Sequence, residues 1–547
     1  MGAIITDISW TTYMQRARDL LVAVSSGAEE HKTWILDLAF SATEELRLLA
    51  QEHDSLWIFD VDHGYEILNQ TEYKRRFEPL DPTLEEIFRL ISQGKPRDLN
   101  ENVECHVSCE GSRANGVVYR SPVCLVSMFM DEDKWTSTFS NIVSKAINLA
   151  GLTPGDMENA TGSVQVVNSQ LPICRYLCLF AYLTTRQMYA EFHICSPLIS
   201  PRQMYFVRQS RQIDNNTWVV ADVSLETIYP NPFPTSKRKP SGCLIQALGD
   251  GVSKVTWVEH YSEREGLAPS MFKALLESGV AYSAKRWIST LERQCERIAT
   301  LEARDDSLND KGSGAARNGL LKLAGRMSRL FNLKIFSTME SGWRGVTLPG
   351  VDGILIKNWL ILDDLQQIPP RIAVSIATSV WLPVKQDQVF NFLRNEQSRA
   401  KWDILAHGME VEEVVRISSP RNSTDSISVV SQCSKRGAIT YLQESYNDSV
   451  ACYIGYAPVD VWTMHHILQG GTADSVAVLP SGFVILPDGS TDQSSILTIA
   501  FQIIDEELTT PQELQESSLI TACTLIRDTV SLIQTALLQE LNWPPPS

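Results

Sequence analysis

Short apolar runs at Cys243–Leu248 and Val255–His260 are joined by Gly249-Asp250-Gly251. An Asp-Gly between β-rich runs predicts a hairpin. The period then changes. From Pro269 to Leu301, apolar residues stand at Phe272, Leu275, Leu276, Val280, Ala284, Trp287, Ile288, Leu291 and Ile298. Steps of three and four share one face at about 3.6 residues per turn, so the pattern predicts one long amphipathic helix. The same order of features returns later. Pro480-Ser481-Gly482 echoes Pro240-Ser241-Gly242 and opens two apolar runs around Pro487-Asp488-Gly489. From Ser517 to Leu541, Leu519, Ile520, Cys523, Ile526, Val530, Ile533, Leu537 and Leu538 again keep helical spacing. A repeat this long is no solenoid unit and predicts two copies of one domain.

The rest of the chain fits the duplication. Trp34, Leu38, Ala42, Leu46 and Leu49 predict a helix over His31–Gln51, Leu56–Asp60 reads as a strand, and Asn69–Glu78 as loop or short helix. Arg113–Ser121 is strand-like, and Leu125–Met130 is a helix running into Asp131-Glu132-Asp133 and Trp135. Its counterpart is Val389–Leu393, running into Asn395-Glu396 and Trp402-Asp403. Thr161–Val167, Ile173–Thr184, Met188–Cys195, Gln203–Arg211 and Thr217–Leu225 are rich in strand formers and separated by proline and asparagine breaks. Closely spaced strands predict an antiparallel sheet, and a sheet wrapped around one long helix leaves any unfilled space as an apolar cavity. The expected fold class is α+β, with two tandem units, each an antiparallel sheet curved around a long carboxy-terminal helix. Residues 302–318, EARDDSLNDKGSGAARN, lack large apolar side chains apart from Leu308 and read as the linker between them.

Composition narrows the function. Lys+Arg of 48 against Asp+Glu of 65 gives a net charge of −17, a field that repels nucleic acid. Lys237-Arg238-Lys239 is the best basic run and reads as a solvated loop between strands. Eleven cysteines stand in scattered, mostly apolar contexts and read as reduced thiols. Cys105-x3-Cys109 and Cys174-x3-Cys178 lack zinc spacing, and adjacent His465-His466 cannot converge on one metal. No apolar run reaches the roughly 20 residues of a membrane span. Motifs for nucleophilic, nucleotide-dependent or zinc-dependent catalysis are missing, so no enzyme activity and no cofactor is expected.

Several segments are specific enough to carry a family. SKVTWVEH, RWISTLERQCE, SPLISPRQMYFVRQ and TWVVADVS resemble the START lipid-binding domain, in the form found in plant class IV homeodomain–leucine zipper proteins. ATSVWLPV, FLRNEQSRAKWDIL, YAPVD and GGTADSVAVLPSGFVILPDG resemble the START-adjacent region of the same proteins. The resemblance implies an amino-terminal segment 1–30, a START domain 31–301, the linker 302–318, a START-like second domain 319–541 and a Pro-rich tail 542–547. Nothing in these residues resembles a homeodomain or a leucine-zipper heptad series. The chain is therefore expected to be the ligand-binding, regulatory part of such a protein, either a paralogue without the DNA-reading part or an incomplete gene model. The resemblance implies a lipid or sterol ligand, homo- or heterodimers with related regulators, no direct nucleic-acid contact and nuclear location. The cytoplasm stays open because no strong nuclear signal is present.

The resemblance also implies a buried Glu–Arg pair that orients a ligand hydroxyl. The arginine matches Arg208 and the acid Glu191. Strand alternation places Met204, Phe206 and Arg208 on one face, where a charge needs a partner; alternatively Arg208 faces solvent. Asp222 is a further acidic candidate. Trp257 counts among the wall residues, although it and Trp135 read as packing before ligand stacking. Phe272, Leu276, Val280 and Ala284 are expected to roof the cavity. The rival reading is an interaction or dimerisation protein whose cavity is filled.

Overall fold

Two antiparallel sheets carry the architecture. The computed structural model describes residues 31–540 apart from 53–54, 62–63, 78–106, 153–182, 226–235, 265–268, 303–310, 336–341, 347–352, 362–370, 405–410, 420–421, 423, 435–436, 491–492 and 506–515. The expected strand Thr161–Val167, most of Ile173–Thr184, the segment 1–30 and the tail 542–547 lie outside the described residues.

In spatial order the first sheet runs β1 (Trp57–Asp60), β2 (Tyr65–Leu68), β3 (Val107–Val118), β10 (Val252–Arg264), β9 (Ser241–Gly249), β7 (Thr217–Ser224), β6 (Arg202–Asp214), β5 (Leu183–Phe192) and β4 (Val143–Gly151), with β8 (Ser236–Arg238) against β10. The hairpin read from Gly249-Asp250-Gly251 is β9–β10. Period-two alternation sorts the side chains of this sheet. Met204, Phe206, Val220, Ile245 and Trp257 enter the core beneath α6 (Ala284–Glu302), whereas Tyr205, Val207, Ala221, Leu244 and Val258 turn to α1 (Lys32–Gln51) on the other face. Trp287, Ile288 and Leu291 bury the apolar stripe of α6, each contributing on the order of 2–3 kcal/mol. Helices α2 (Gln70–Phe77), α3 (Pro122–Met130) and α4 (Glu132–Thr138) complete this half. Asp131 caps α4 by accepting from Lys134 N at 2.9 Å, so the acidic turn read from sequence fixes where Trp135 sits.

Two expectations are corrected. The long helix over Pro269–Leu301 is broken into a 3₁₀ turn Ser270–Phe272, α5 (Lys273–Glu277), a second 3₁₀ turn Val280–Tyr282, and α6. Gly279 adopts φ +72°, a left-handed helix terminator that the apolar spacing does not reveal. Nor is 302–318 a linker throughout. From Lys311 it is helical, opening α7 (Lys311–Ile335). Leu320, Leu323, Ala324, Met327 and Phe331 bury one stripe of α7, which holds the Gly-Ser-Gly start in helix.

The second sheet runs β11 (Arg344–Gly345), β12 (Leu355–Ile361), β13 (Arg371–Leu382), β19 (Ser495–Asp505), β18 (Ser481–Pro487), β17 (Cys452–Val459), β16 (Gly437–Asn447), β15 (Ser426–Ser434) and β14 (Glu412–Ser418). Ile454, Phe483 and Ile499 face the closing helix α11 (Glu516–Glu540) together with α8 (Gln386–Arg394) and α9 (Glu396–Trp402). Tyr446, Tyr453, Val484 and Ala500 point the other way and join the core of the first half. Ala457 and Val459 meet α7 and α10 (Val461–Leu468). The second sheet is thus packed between its own closing helix and the first half of the chain.

Candidate ligand site

The concave face of the first sheet meets α4 and α6 in a nest of indoles. Trp135 and Trp287 stack at 6.0 Å with an interplanar angle of 11°, and Trp257 and Trp287 at 4.9 Å and 12°. Within this apolar enclosure runs a chain of four charges. Arg208 Nε and Nη2 donate to the two oxygens of Asp222 at 2.7 and 2.8 Å, and Nη1 donates to the Phe129 carbonyl at 2.7 Å. Arg238 Nε lies 3.3 Å from Asp222 Oδ2, while its Nη1 and Nη2 donate to Glu259 at 2.8 and 2.9 Å. Trp257 Nε1 donates to Glu259 at 2.7 Å. All four charged side chains are buried, and two guanidinium groups against two carboxylates leave the chain neutral. Burial raises the Glu259 carboxyl above its ordinary range, with the Arg238 charge opposing it. Arg208 also lies 3.9 Å over the Trp135 ring. Trp135 Nε1 is buried and has no acceptor among the described residues.

At the rim, Arg202 is clamped between the rings of Tyr282 and Tyr261, at 3.6 and 4.5 Å. Tyr261 donates to Glu110, whose carboxyl is raised by burial. A cavity of about 780 Å³ opens beside Leu275, Ser278, Val280, Ser283 and Lys285, and is lined from the second half of the chain by Lys385, Asp387 and the inter-strand residues Val450 and Gly489.

Arg208, Asp222, Met204, Phe206 and Trp257 are therefore brought together. Phe272, Val280 and Ala284 are buried in the same core, and Leu276 packs against it half-buried. Glu191 is not part of the site, and the expected Glu191–Arg208 pair is corrected. Glu191 stands opposite Gln203 in the β5–β6 register, an odd step from Arg208, and so shares the α1 face with Tyr189 and Tyr205. There it accepts from Tyr189 Oη at 2.6 Å. The acid beside Arg208 is Asp222, directly across in β7.

Sequence reasoning missed two members of the charge chain. Arg238 was read as part of a solvated loop, yet it is a strand residue, 3% exposed, because β8 closes on β10. Glu259 was within reach, since alternation puts it on the same face as Trp257. In the second half, Arg399 pairs with Asp403 at 2.9 Å between the rings of Tyr441 and Tyr456, so a buried arginine recurs there. Among the described residues no cluster of His, Cys, Asp and Glu could hold a metal ion, and no helix is long and apolar enough to cross a membrane.

Residues 37–297 match the START domain family, and residues 313–539 match the PDF2-like, C-terminal domain family. Homeobox-leucine zipper protein HDG12 of Arabidopsis thaliana is 33% identical over 523 residues, covering 93% of this chain and 69% of that protein. The rice (Oryza sativa subsp. japonica) homeobox-leucine zipper protein ROC8 is 32% identical, covering 95% and 74%. The chain belongs to the START-containing homeobox–leucine zipper family. ANTHOCYANINLESS 2 of Arabidopsis thaliana is 33% identical over 93% of this chain, which spans 60% of its length. Among solved structures, human StAR-related lipid transfer protein 5 is similar at 12% identity and TM-score 0.30, covering 49% of this chain and 99% of that one. The di-domain ARO/CYC StfQ is similar at 8% and 0.22, covering 79% and 99%. The charge chain and the indole nest thus lie inside the START domain, and Arg399 inside the PDF2-like domain.

Proposed function

We propose that this chain is the ligand-responsive regulatory part of a homeobox–leucine zipper transcriptional regulator, and that its START domain takes up a sterol, phospholipid or similar amphipathic molecule. The observation that carries the reading is Trp135 Nε1, a buried donor without an acceptor among the described residues, in the enclosure that also holds Arg208. An unmet buried donor is costly, and a ligand hydroxyl or carbonyl oxygen would satisfy it. The segment Ser270–Tyr282, divided at Gly279, borders the 780 Å³ cavity, whose lining mixes Leu275, Val280 and Val450 with Lys285, Lys385 and Asp387 and so suits an amphipathic molecule. Ligand uptake stabilises the START domain by linkage and so changes its partners or abundance in the nucleus. The net charge of −17 fits a chain whose 547 residues do not contact DNA themselves.

Native mass spectrometry on the chain purified from plant cells tests this. The expected result is one co-purifying lipid mass, held about tenfold less well by Trp135→Phe, which keeps an aromatic ring and removes the N–H. No bound lipid and no thermal shift with any lipid class would sink the reading. That outcome favours a second one, an interaction module acting on related regulators. The three stacked indoles and the self-neutralised charge chain, which already fill the interior, speak for it.

A further inference from the structure

The helix that closes the START domain and the helix that follows it meet over a polar pocket. Its volume is about 370 Å³, and it lies between α6 and α7, outside the START interior. Five of its lining side chains are cationic: Arg293 and Arg297 from α6, and Lys322, Arg326 and Arg329 from α7. The single lining carboxylate is Asp474. Such a concentration is out of character for a chain of net charge −17.

Two of the five cations are committed by hydrogen bonds, and a third, Arg293, by a longer ion pair with Glu444. Arg297 pairs with Glu444, and Arg326 donates to the backbone carbonyls of Asp474, Ala473 and Val476. Lys322 and Arg329 stand seven residues apart on one exposed face of α7 and make no ion pair or hydrogen bond among the described residues. Arg293 is the buried anchor. Its side chain is 10% exposed and lies 3.7 Å over the Tyr446 ring, with its closest carboxylate oxygen, on Glu444, 3.8 Å away and outside hydrogen-bond reach. Its Nε and Nη1 are buried and donate to no acceptor among the described residues, with Glu444, Asp425 and Asp448 supplying opposing charge nearby. Gly325 leaves the floor open, since a Cβ there would come within 2.8 Å of Arg297 Nη1.

We propose that this pocket binds a phosphate ester of headgroup size, its oxyanions held by Arg293, Lys322 and Arg329. The Arg293 guanidinium at the inner wall supplies a fixed positive charge, and the two flexible cations at the rim supply donors that phosphate oxygens can accept from. A phosphate carries up to two negative charges on three acceptor oxygens, which suits this surplus better than a single carboxylate. The volume of about 370 Å³ is sufficient for a phosphorylated sugar or inositol ring. Because its cations come from both helices, occupancy ties the closing helix of the START domain to the helix that opens the PDF2-like domain.

Isothermal titration of the full chain with inositol trisphosphate is the test. The expected result is saturable binding, weakened about tenfold or more in the Lys322→Gln/Arg329→Gln variant. It is unchanged in Lys273→Gln/Arg527→Gln, which alters net charge equally at exposed positions elsewhere. Flotation with phosphatidylcholine vesicles, with and without a phosphoinositide, then identifies the source. Recruitment that the first variant abolishes assigns a lipid headgroup, and binding of the soluble ester alone assigns a free phosphate. Absence of saturable binding, or equal weakening in both variants, overturns the proposal. Lipid retention in the START interior, read through Trp135→Phe, is a separate measurement and can fail independently.

Discussion

Asp222 accepts both forks of Arg208 and lies beside Arg238, so one carboxylate holds two buried guanidinium groups in place. Removing one partner of a buried pair leaves an uncompensated charge, which costs more than the pair itself contributes. Asp222→Asn is expected to lower stability by about 3–5 kcal/mol in urea denaturation. Glu191→Gln, which keeps an acceptor for Tyr189, is expected to cost about 1 kcal/mol or less. Equal losses would restore Glu191 as the acid of the site. Two buried histidines set a pH dependence. Burial pushes His193 and His260 from 6.5 down to about 3, aided by the Arg286 charge at His193 and the Lys239 charge at His260. Between those values the unfolded chain binds protons that the folded chain does not. Their stabilisation is therefore complete above about 6.5 and is lost as pH falls towards 3. Asp425, pushed up to about 6 by burial, titrates with the opposite sign. Comparing His260→Gln with the unmutated chain isolates the imidazole, and the variant should lose less stability on acidification. Parallel curves would show that His260 does not contribute.

At the scale of elements, the repeated Pro-Ser-Gly has a common physical reason. Ser241 Oγ accepts from His260 N at 2.9 Å, and Ser481 Oγ accepts from Gln502 N at 3.2 Å, so each serine bonds the backbone of the next strand. The glycines make room for the strand on the other side. A Cβ at Gly242 would lie 2.1 Å from the Val220 carbonyl oxygen, and one at Gly482 the same distance from that of Ile454. Gly242→Ala and Gly482→Ala are each expected to cost about 1–3 kcal/mol, since a crowded backbone has nowhere to move. Gly345→Ala, with nothing within 4 Å, is the control and should be close to neutral. A neutral Gly242→Ala would break the link between motif and strand packing. Hairpins, strand faces and helix starts were legible in sequence because each is a local consequence of period and turn chemistry. The break at Gly279 was not, because the apolar stripe continues across it and only the left-handed backbone ends the helix.

Across the whole molecule, α6 presents one stripe to its own sheet and another to the PDF2-like domain. Arg286 Nε donates to Asp448 at 2.9 Å, and its Nη2 to the Tyr453 hydroxyl at 3.1 Å. Asn141 donates to the same Asp448 carboxylate at 2.8 Å. The core of the START domain continues through Tyr446, Tyr453 and Val484 of the second sheet. Two domains joined through a buried charge and a shared core should unfold together. Calorimetry of the full chain is expected to show one transition, and Asp448→Asn to split it in two or to lower its midpoint sharply. Two transitions in the unmutated chain would contradict a shared core.

The sequence by itself determined the duplication, the hairpins, the strand faces and the family, because periodicity, turn residues and long matching segments are properties of neighbours along the chain. It placed Arg208 on one face with Met204 and Phe206 for the same reason, and left open whether that face meets core or solvent. Which acid meets Arg208, whether Arg238 is in solvent or core, and what α6 turns towards the second sheet were decided only by tertiary structure. Those outcomes depend on register between strands and on packing between halves, where residues far apart in sequence compete for the same buried charge.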